Sequence, residues 1–288
     1  MDAALSVHGL TKRYPGFALE GVSFEVPRGC VMGLVGPNGA GKTTTLRAIL
    51  GLARRDGGEI RVAGIDPAVD GATARARIGF VHDEPRFPRH LSLAASARIV
   101  ARFYPTWDEA AFRRLASAFG LRLGARFGTL SRGTRTKFAL ALALCHGAEV
   151  VVMDEPTSGL DPVFRRELLD VLLDLLQDAR SAILFSTHIT ADLDRIADYV
   201  TLLQDGRVVV SAAKDELLER WGVVRGGLEL LERMPDGLLL GVRRDPHGFE
   251  AVTADAERAR HVLGGAALVE RPRLDDIVLL TSVGARHD

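Results

Sequence analysis

The chain has 288 residues, of which 47% are hydrophobic and 26% charged, and this length and composition allow one large core and a second small one. They exclude a disordered tail and a fibrous protein. Lysine plus arginine equals aspartate plus glutamate at 37 each, so the formal net charge is zero and gives no general attraction to nucleic acid or anionic lipid. Any anion site must therefore be local, and we expect no nucleic-acid partner.

The N-terminus, the apolar runs and the cysteines of the chain indicate its cellular location. The N-terminus lacks a basic start followed by an apolar stretch, and no uninterrupted apolar run approaches the roughly 20 residues needed to span a bilayer. Cys30 and Cys145 lie in apolar surroundings without a partner at metal-ligand spacing, which is typical of core thiols in a reduced compartment. We therefore expect a cytoplasmic protein that neither crosses a membrane nor carries a signal peptide.

The first part of the chain reads as short strands followed by helices. Runs with the composition of β-strands occur at 5–14, 18–26, 30–36, 58–66 and 77–83. Between about 85 and 128 the apolar residues recur three and four positions apart. This spacing predicts a helical insertion.

From residue 131 onward helices and strands alternate. The predicted order is a helix, strand 149–154, helix 162–177, strand 181–187, helix 191–198, and strands 199–204 and 207–212. Such alternation is typical of a largely parallel sheet covered on both faces. Beyond about 217 the pattern predicts a small α+β appendage of two strands, a helix, a strand and a helix.

These elements predict an α/β protein with a mostly parallel core sheet, an antiparallel N-terminal β part, a helical insertion and a C-terminal α+β appendage. We place one domain at 1–215, with its helical subdomain at about 85–145. The accessory region then occupies 216–288.

A glycine-rich loop, GPNGAGKT at 36–43, directly follows an apolar strand and precedes a helix. It fits the G-x-x-x-x-G-K-[ST] phosphate loop, in which backbone N–H groups converge on phosphate oxygens where a Cβ would intrude. Lys42 would reach the β- and γ-phosphates, and the Thr43 hydroxyl would bind Mg²⁺. The motif predicts a P-loop NTPase. The candidate nucleotide-binding residues in this segment are Gly36, Pro37, Asn38, Gly39, Ala40, Gly41, Lys42, Thr43 and Thr44.

Two adjacent acids end the apolar strand EVVVMD at 149–154. Asp154 would bind Mg²⁺, directly or through water. Glu155 is placed to polarise a water in line with the γ-phosphate. Without Lys42, the two acids would equally well begin a turn before Pro156.

The segment TLSRGTRTKFAL at 129–140 predicts a helix that opens with Ser131 and carries three cations, Arg132, Arg135 and Lys137. Cations there oppose the helix dipole, because the unpaired N–H groups of the first turn carry partial positive charge. Either an anion sits at this helix start, or Ser131 merely caps the helix and the cations point into water. The segment alone leaves both open.

Taken in chain order, these motifs resemble those of the nucleotide-binding subunit of an ATP-binding cassette (ABC) transporter. The resemblance runs through residues 5–211 and includes GPNGAGKT, VVVMDEPTSGLD, STHI with His188, and LSRGT at 130–134. It implies an ATPase with ATP and Mg²⁺, and two subunits facing each other head to tail as a homodimer. Each ATP would lie between one subunit's phosphate loop and the other's LSRGT segment, where Ser131 and Gly133 would donate to the γ-phosphate.

Two segments depart from the pattern that the family shares. In LSRGT, Arg132 and Thr134 replace the first glycine and the glutamine of LSGGQ, so that Arg132 would either add charge toward the triphosphate or point to solvent. In IGFVHDEP, Asp83 stands where glutamine is usual. Its oxygen would still meet Mg²⁺, but the hydrogen-bond donors of glutamine are gone. We expect this loop to respond to the membrane partner more than to take part in catalysis.

Three further roles rest on the resemblance. Tyr14 matches the aromatic residue that stacks on adenine, and an exposed strand aromatic is the alternative. His188 matches the catalytic histidine that contacts the γ-phosphate and helps to position the attacking water. Asp161 matches the loop that crosses the dimer seam, and before Pro162 it also fits a helix N-cap.

The resemblance implies a motor subunit that drives a separate transmembrane permease and binds peripherally to the inner face of the membrane through it. Segments 103–121 and 273–283 resemble bacterial subunits that pair with ABC-2-type permeases, commonly exporters. The permease's cytoplasmic helix would dock between the Asp83 loop and the insertion that holds Phe103, Tyr104 and Trp107. The alternatives are a soluble ABC-type ATPase and a nucleotide sensor with slow hydrolysis.

Overall fold

The computed structural model describes residues 3–176 and 181–284, and their strands form three sheets. None of the helices in these two ranges has the length and apolar character required to pass through a bilayer. The last residue of the helix predicted at 162–177 lies outside the described residues, as do the two extreme ends of the predicted domains.

The strands follow one another closely in the first third of the chain and again after residue 199. They are β1 (Ala3–Tyr14), β2 (Phe17–Pro27), β3 (Val31–Val35), β4 (Gly57–Val62), β5 (Ile78–Val81), β6 (Val150–Asp154), β7 (Ala182–Thr187), β8 (Tyr199–Gln204), β9 (Arg207–Ala213), β10 (Gly222–Gly226), β11 (Leu240–Asp245), β12 (Gly248–Thr253) and β13 (Leu268–Glu270).

The helices separate the parallel strands and complete the appendage. They are α1 (Lys42–Ile49), α2 (Gly71–Ala76), α3 (Leu93–Ala101), α4 (Glu109–Ala118), α5 (Arg132–Leu144), α6 (Pro162–Leu176), α7 (Thr190–Ile196), α8 (Lys214–Arg220), α9 (Ala256–Leu263) and α10 (Leu274–Gly284). Short 3₁₀ turns lie at Phe127–Thr129 and Leu228–Arg233.

The central sheet has the strand order β5-β6-β7-β3-β8-β9, and only the β8–β9 pairing is antiparallel. Every residue of β3, β6 and β7 is buried, as expected for parallel strands with helices or another sheet on both faces. Val31 and Val35 of β3 pack into one hydrophobic cluster while Met32 and Leu34 pack into another, because successive side chains point to opposite faces. The predicted mostly parallel core sheet is confirmed.

The two faces of this sheet are covered differently. One face carries α5, α6, α7 and α10. The other carries α1 and the N-terminal antiparallel sheet, whose strand order is β2-β1-β4. The predicted antiparallel N-terminal part is therefore confirmed, and it lies against the core sheet as a second layer.

The predicted helical insertion contains α3 and α4, which pack on α5 around a cluster of aromatic rings. Phe138 of α5 is fully buried at its centre, and Phe87, Phe112 and Phe127 approach its ring at centroid distances of 5.3, 6.4 and 6.3 Å. Cys145 is buried in the same cluster, and burial raises the pKa of its thiol to about 12. The core-thiol interpretation holds for Cys145, whereas Cys30 is partly exposed.

The appendage forms its own antiparallel sheet in the order β11-β12-β10-β13. Four of its elements match the predicted strand, strand, helix and strand, and α10 matches the predicted last helix. The sequence prediction missed α8 and β10. The segment of β10 is only five residues long and has Gly222 and Gly226 at its ends, so its local pattern reads as loop, and it becomes a strand through pairing with β12 and β13.

The appendage is joined to the central domain through α10. Leu274, Ile277 and Leu280 of this helix pack in the same hydrophobic cluster as α6 and α7. Thr190 Oγ1 at the start of α7 donates to Asp275 Oδ1 at 3.1 Å. Because α7 begins two residues after His188, the appendage contacts an element that lies next to a predicted site residue.

A pH-dependent stability prediction arises from an ion pair across β4, in which Arg55 Nη1 and Nη2, before the strand, donate to the two carboxyl oxygens of Asp66, after it, at 2.9 and 2.7 Å. These hydrogen bonds, followed by one from the Ala68 N–H, hold the pKa of the Asp66 carboxyl below its ordinary value. A depressed folded pKa adds stability above the unfolded pKa, and this stability is lost as the pH falls through the folded value.

We therefore expect Asp66→Asn to lower the free energy of unfolding by about 2 kcal/mol at pH 7 and by much less at pH 3. Urea unfolding at both pH values measures this, with the exposed Glu216→Gln as control. An equal loss at the two pH values would contradict the assignment to the ionised pair.

Candidate functional site

The candidate site is a cleft at the carboxyl end of the central sheet. Neighbouring parallel strands end at the same sheet edge, so residues far apart in sequence meet there. Here β5, β6, β7 and β3 are adjacent and are followed by Asp83, by Glu155, by His188 and by the glycine loop. The cleft has a volume of about 550 Å³ and is lined by Phe17, Asn38, Gly39, Gly41, Lys42, Thr43, Thr44, Asp83, Glu155, Ser158 and His188.

The glycine loop between β3 and α1 follows a path that side chains would block. A Cβ at Gly36 would lie 2.1 Å from the Leu203 carbonyl oxygen, and one at Gly41 would lie 2.5 Å from Leu19 Cδ2. Gly39 and Gly41 also have φ values of 86° and 108°, in the region that favours glycine. The loop therefore leaves backbone N–H groups uncovered by side chains, as a phosphate site requires.

Lys42 begins α1 directly after this loop and is only 6% exposed. Its Nζ donates to the carbonyl oxygens of Gly36 and Pro37 at 2.6 and 3.2 Å and lies 3.5 Å from Glu155 Oε1. A buried ammonium group must be paired with acceptors, and here the loop itself supplies them. The cation is thus held inside the loop, where phosphate oxygens would be expected.

Asp154 ends β6 beside the first turn of α1. Thr43 Oγ1 lies 3.2 Å from Asp154 Oδ2, and Ser186 Oγ of β7 donates to Asp154 Oδ1 at 3.2 Å. Asp154 is only 5% exposed, so its orientation is fixed by these contacts. The pair offers a hydroxyl and a carboxylate oxygen side by side, which are ligand atoms that Mg²⁺ prefers.

Glu155 and His188 form a second pair at the ends of β6 and β7. His188 Nδ1 lies 2.7 Å from Glu155 Oε2, and the His188 N–H donates to the same oxygen at 3.3 Å. Glu155 has a φ of 48°, a left-handed conformation that is uncommon for a glutamate, and its N–H donates to the Ser186 carbonyl at 3.0 Å. The surrounding structure thus directs this carboxylate into the cleft, between Lys42 and His188.

Ser131 caps α5, as one interpretation of the sequence predicted. Its Oγ accepts from the Thr134 N–H at 3.2 Å and lies 2.8 Å from Thr134 Oγ1, in a hydrogen bond that either hydroxyl could donate. Gly133 has a packing role, because a Cβ there would lie 2.8 Å from Phe164 Cδ1 of α6. All three cations of this helix start have a partner in the same chain: Arg132 pairs with Asp83, Arg135 lies over the Phe127 ring, and Lys137 pairs with Glu167.

Asp83 and Arg132, the two charged departures from the family pattern, contact each other. Arg132 Nη2 donates to Asp83 Oδ1, and the two side chains are about equally exposed, at 39% and 40%. Arg132 therefore has a partner within its own chain and is half-exposed. The Asp83 carboxylate lines the cleft but has a guanidinium as its partner.

Tyr14 and Asp161 lie apart from the cleft lining. Tyr14 is 44% exposed at the end of the β1–β2 hairpin, opposite Phe17, and Phe17 is the aromatic that lines the cleft. The adenine role of Tyr14 remains a prediction. Asp161 Oδ1 accepts from the Phe164 N–H at 3.0 Å, so the predicted cap of α6 is confirmed.

Sequence reasoning missed two residues of the cleft, Phe17 and Ser158. Ser158 lies three residues after Glu155 within the quoted VVVMDEPTSGLD segment, and its proximity to the acids was a usable signal. Phe17 reads as an ordinary strand residue, and only the hairpin brings it beside the glycine loop. A Cβ at Gly41 would lie 3.0 Å from its ring.

Comparison with known proteins shows which family the chain is similar to. The sequence profile of the family described as "ABC transporter" matches residues 19–158. A fluoroquinolones export ATP-binding protein of Mycobacterium tuberculosis is 36% identical over 81% of this chain and 82% of its own length. The Nod factor export ATP-binding protein I of Ralstonia nicotianae is 30% identical over 96% of this chain and 92% of its own.

Solved structures give the same result for the fold. A structure titled as the ATP-binding subunit of an ABC transporter superimposes with a TM-score of 0.69 at 31% identity, over 75% of this chain and 92% of that one. CbiO1 from Clostridium perfringens, described as part of the transporter complex cbiONQ, gives a TM-score of 0.66 at 25% identity, over 76% and 92%. The predicted P-loop fold is therefore confirmed.

Proposed function

The chain belongs to the ABC transporter family as an ATP-binding subunit, and from this we propose that it hydrolyses ATP with Mg²⁺ while two copies close head to tail around two ATP molecules. Closure and reopening would then drive a separate permease. The observation that carries the proposal is the convergence of Lys42, the Thr43–Asp154 pair and the Glu155–His188 pair on one cleft.

The oxygens of Thr43 and Asp154 would hold Mg²⁺ against the phosphates. Within residues 3–176 and 181–284 no group of three or more acidic, histidine or cysteine side chains could enclose a metal ion. Mg²⁺ would therefore need phosphate oxygens and water to complete its six ligands, which is its usual state in nucleotide sites. Asp83 would have to leave Arg132 before its carboxylate could join them.

Glu155 would orient the attacking water and accept its proton. His188 would hold the Glu155 carboxylate in place through the 2.7 Å contact and would itself face the γ-phosphate. Lys42 would neutralise phosphate charge from within the loop. These three roles account for why a carboxylate, an imidazole and an ammonium group occupy one small cleft.

Dimerisation is proposed because part of the predicted nucleotide site lies elsewhere on the chain. Ser131, Gly133 and Asp161 are not among the residues that line the cleft of their own chain. Ser131 and Asp161 are exposed and so are accessible to a second copy. A head-to-tail homodimer would place the start of α5 over the other subunit's glycine loop, with its N–H groups and the Ser131 hydroxyl as donors.

A permease of the ABC-2 type, acting in export, is proposed as the membrane partner. The two relatives named above are export ATP-binding proteins. A groove of about 320 Å³ lies between the loop after β5 and the helical insertion, and Tyr104 lines it while stacking on His146 at 3.9 Å. Phe103 is 76% exposed, whereas Trp107 packs on Phe112. We propose that a cytoplasmic helix of the permease docks here and holds the subunit at the inner face of the membrane.

The domain division remains part of the proposal. We assign the ATPase domain to 1–215, its helical subdomain to about 85–145 and the accessory region to 216–288. The accessory region shares a hydrophobic cluster with the ATPase domain through α10. Its own core around Phe249 and Leu263 supports treating it as a separate unit.

Static light scattering tests the dimer. We expect purified Glu155→Gln to shift from monomer to dimer mass on addition of Mg-ATP, because hydrolysis is stalled while nucleotide binding is retained. Ser131→Arg in the same background should abolish the shift, since a long cation would replace the hydroxyl at the start of α5. A monomer that binds ATP tightly would contradict closure by the isolated subunit.

The rate of ATP hydrolysis distinguishes a nucleotide sensor from a transport motor. A motor is expected to hydrolyse ATP faster when its permease is present in membranes. A sensor would remain slow with and without membranes, and this result would overturn the transport part of the proposal.

A further inference from the structure

The Asp83–Arg132 ion pair links two segments that are 49 residues apart in sequence. Asp83 lines the cleft of its own chain together with Lys42 and Glu155. Arg132 is the first residue of α5, between Ser131 and Gly133. One end of the pair thus lies in the chain's own nucleotide site, and the other lies in the segment proposed to complete the site of a second copy.

Arg132 also contacts a third segment. A Cβ added to Gly159 would lie 2.9 Å from Arg132 Nη1, so the guanidinium lies against the backbone of the TSGLD loop. That loop runs from Glu155 to the Asp161 cap of α6. Arg132 is therefore packed between the loop after β5, the start of α5 and the loop after β6.

We infer that Asp83 and Arg132 act as one positioning pair, which sets the start of α5 relative to the chain's own nucleotide cleft. The inference deepens the proposed function and rests on it, since the segment being positioned is the one that would contact the second subunit's ATP. Neither residue is a catalytic residue here. Arg132 acts on the partner's site by fixing Ser131 and Gly133, and Asp83 acts by holding Arg132.

The chemistry of the two residues favours this arrangement over a direct contact between Arg132 and a triphosphate. A guanidinium with several donors in a rigid plane can hold a carboxylate and still lie flat against a backbone. An acid at position 83 alone would add negative charge to a cleft built for an anion, and a cation at 132 alone would oppose the helix dipole. Each charge compensates the other, so the two departures from the family pattern are explained together.

The first test needs no nucleotide and no dimer. Hydrogen–deuterium exchange is measured on the purified chain and on Arg132→Ala, Asp83→Ala and Arg113→Ala. Arg113 forms an exposed ion pair with Glu109 on α4, away from the cleft, and serves as the matched control. We expect Arg132→Ala to raise exchange in the peptide around Glu84 by about threefold, and Asp83→Ala to raise it by a similar factor around Thr134.

The second test measures ATP-dependent dimerisation in the Glu155→Gln background. An exposed ion pair contributes a factor of about three, and a homodimer contains two such pairs, so each single alanine variant should weaken dimerisation about tenfold. The double variant should also dimerise about tenfold more weakly than the parent. The second substitution adds nothing, because the first has already broken the ion pair. Arg132→Lys should recover part of the loss, and Arg113→Ala should have no effect.

The outcomes distinguish the inference from the proposed function. Unchanged exchange in both peptides would overturn the positioning pair, and so would a hundredfold effect of the double variant. If Arg132→Ala weakened dimerisation while Asp83→Ala left it intact or strengthened it, Arg132 would be a direct phosphate contact and the inference would be wrong. A Glu155→Gln parent that does not dimerise would count against the proposed function, and the exchange measurements would then decide the inference alone.

Discussion

Replacing Lys42 with alanine is expected to weaken the binding of Mg-ATP by roughly hundredfold, or about 3 kcal/mol. The estimate corresponds to two charge-assisted hydrogen bonds from Nζ to phosphate oxygens. Lys42 is already in place in the described structure, held by the Gly36 and Pro37 carbonyls, so ATP would need no reorganisation of this side chain beyond exchange of acceptors. Because the Lys42 ammonium group is already in position, its removal is expected to cause a large loss of ATP affinity.

Isothermal titration calorimetry with ATP and Mg²⁺ measures this effect. Arg47→Ala is the matched control, because Arg47 is an exposed cation in the last turn of the same helix. Thermal unfolding of both variants checks that the truncation leaves the fold intact, since it strips the buried Gly36 carbonyl of a donor. Unchanged ATP affinity in Lys42→Ala would show that the triphosphate does not use the glycine loop.

The glycine loop and the two acids at the end of β6 could be predicted from sequence because their signals are local. A strand, six turn residues, a Lys-Thr pair and a helix stand in one continuous stretch, and the strand that ends in Asp154 is uniformly apolar. The parallel sheet followed from the same kind of signal. Neighbouring parallel strands end at the same edge of a sheet, so the loop after β3 and the end of β6 are expected to lie close together. The contact between Thr43 and Asp154 agrees with this rule.

The contacts between charged side chains could not be predicted in this way. Arg132 had two open interpretations, solvent or triphosphate, and the structure gives a third, because pairing with Asp83 depends on how α5 packs beside the loop after β5. The local sequence pattern carries no information about an ion pair between two segments that are 49 residues apart. The same limit explains β10, which is a strand by virtue of its two neighbours rather than its composition.

The C-terminal region has a core of its own, but its helix α10 also contacts two elements beside the cleft. Gln204 Nε2, at the end of β8, donates to the Thr281 carbonyl of α10 at 3.2 Å, and the neighbouring Leu203 carbonyl faces Gly36. Thr190, two residues after His188, contacts α10 from the other side. Two elements that border the cleft are thus held by one helix of the appendage.

Glu155→Gln is expected to lower kcat for ATP hydrolysis about thousandfold while ATP affinity stays within about threefold of the parent. Glutamine keeps the size of the side chain but cannot take a proton from water. Binding should be retained because the carboxylate lies 3.5 Å from Lys42, and its neutralisation leaves that ammonium group free to serve the phosphates. The change therefore separates catalysis from binding.

Steady-state phosphate release gives kcat, and a fluorescent ATP analogue gives the affinity. His188→Ala provides the second arm, since His188 Nδ1 contacts Glu155 Oε2 at 2.7 Å. If the two residues act as one unit, the double variant should be no slower than Glu155→Gln alone. A Glu155→Gln variant that kept more than a tenth of the parent's kcat would rule out Glu155 as the base, because removal of a general base is expected to lower kcat by about hundredfold or more. The pair at the ends of β6 and β7 would then have to be assigned to nucleotide sensing instead of hydrolysis.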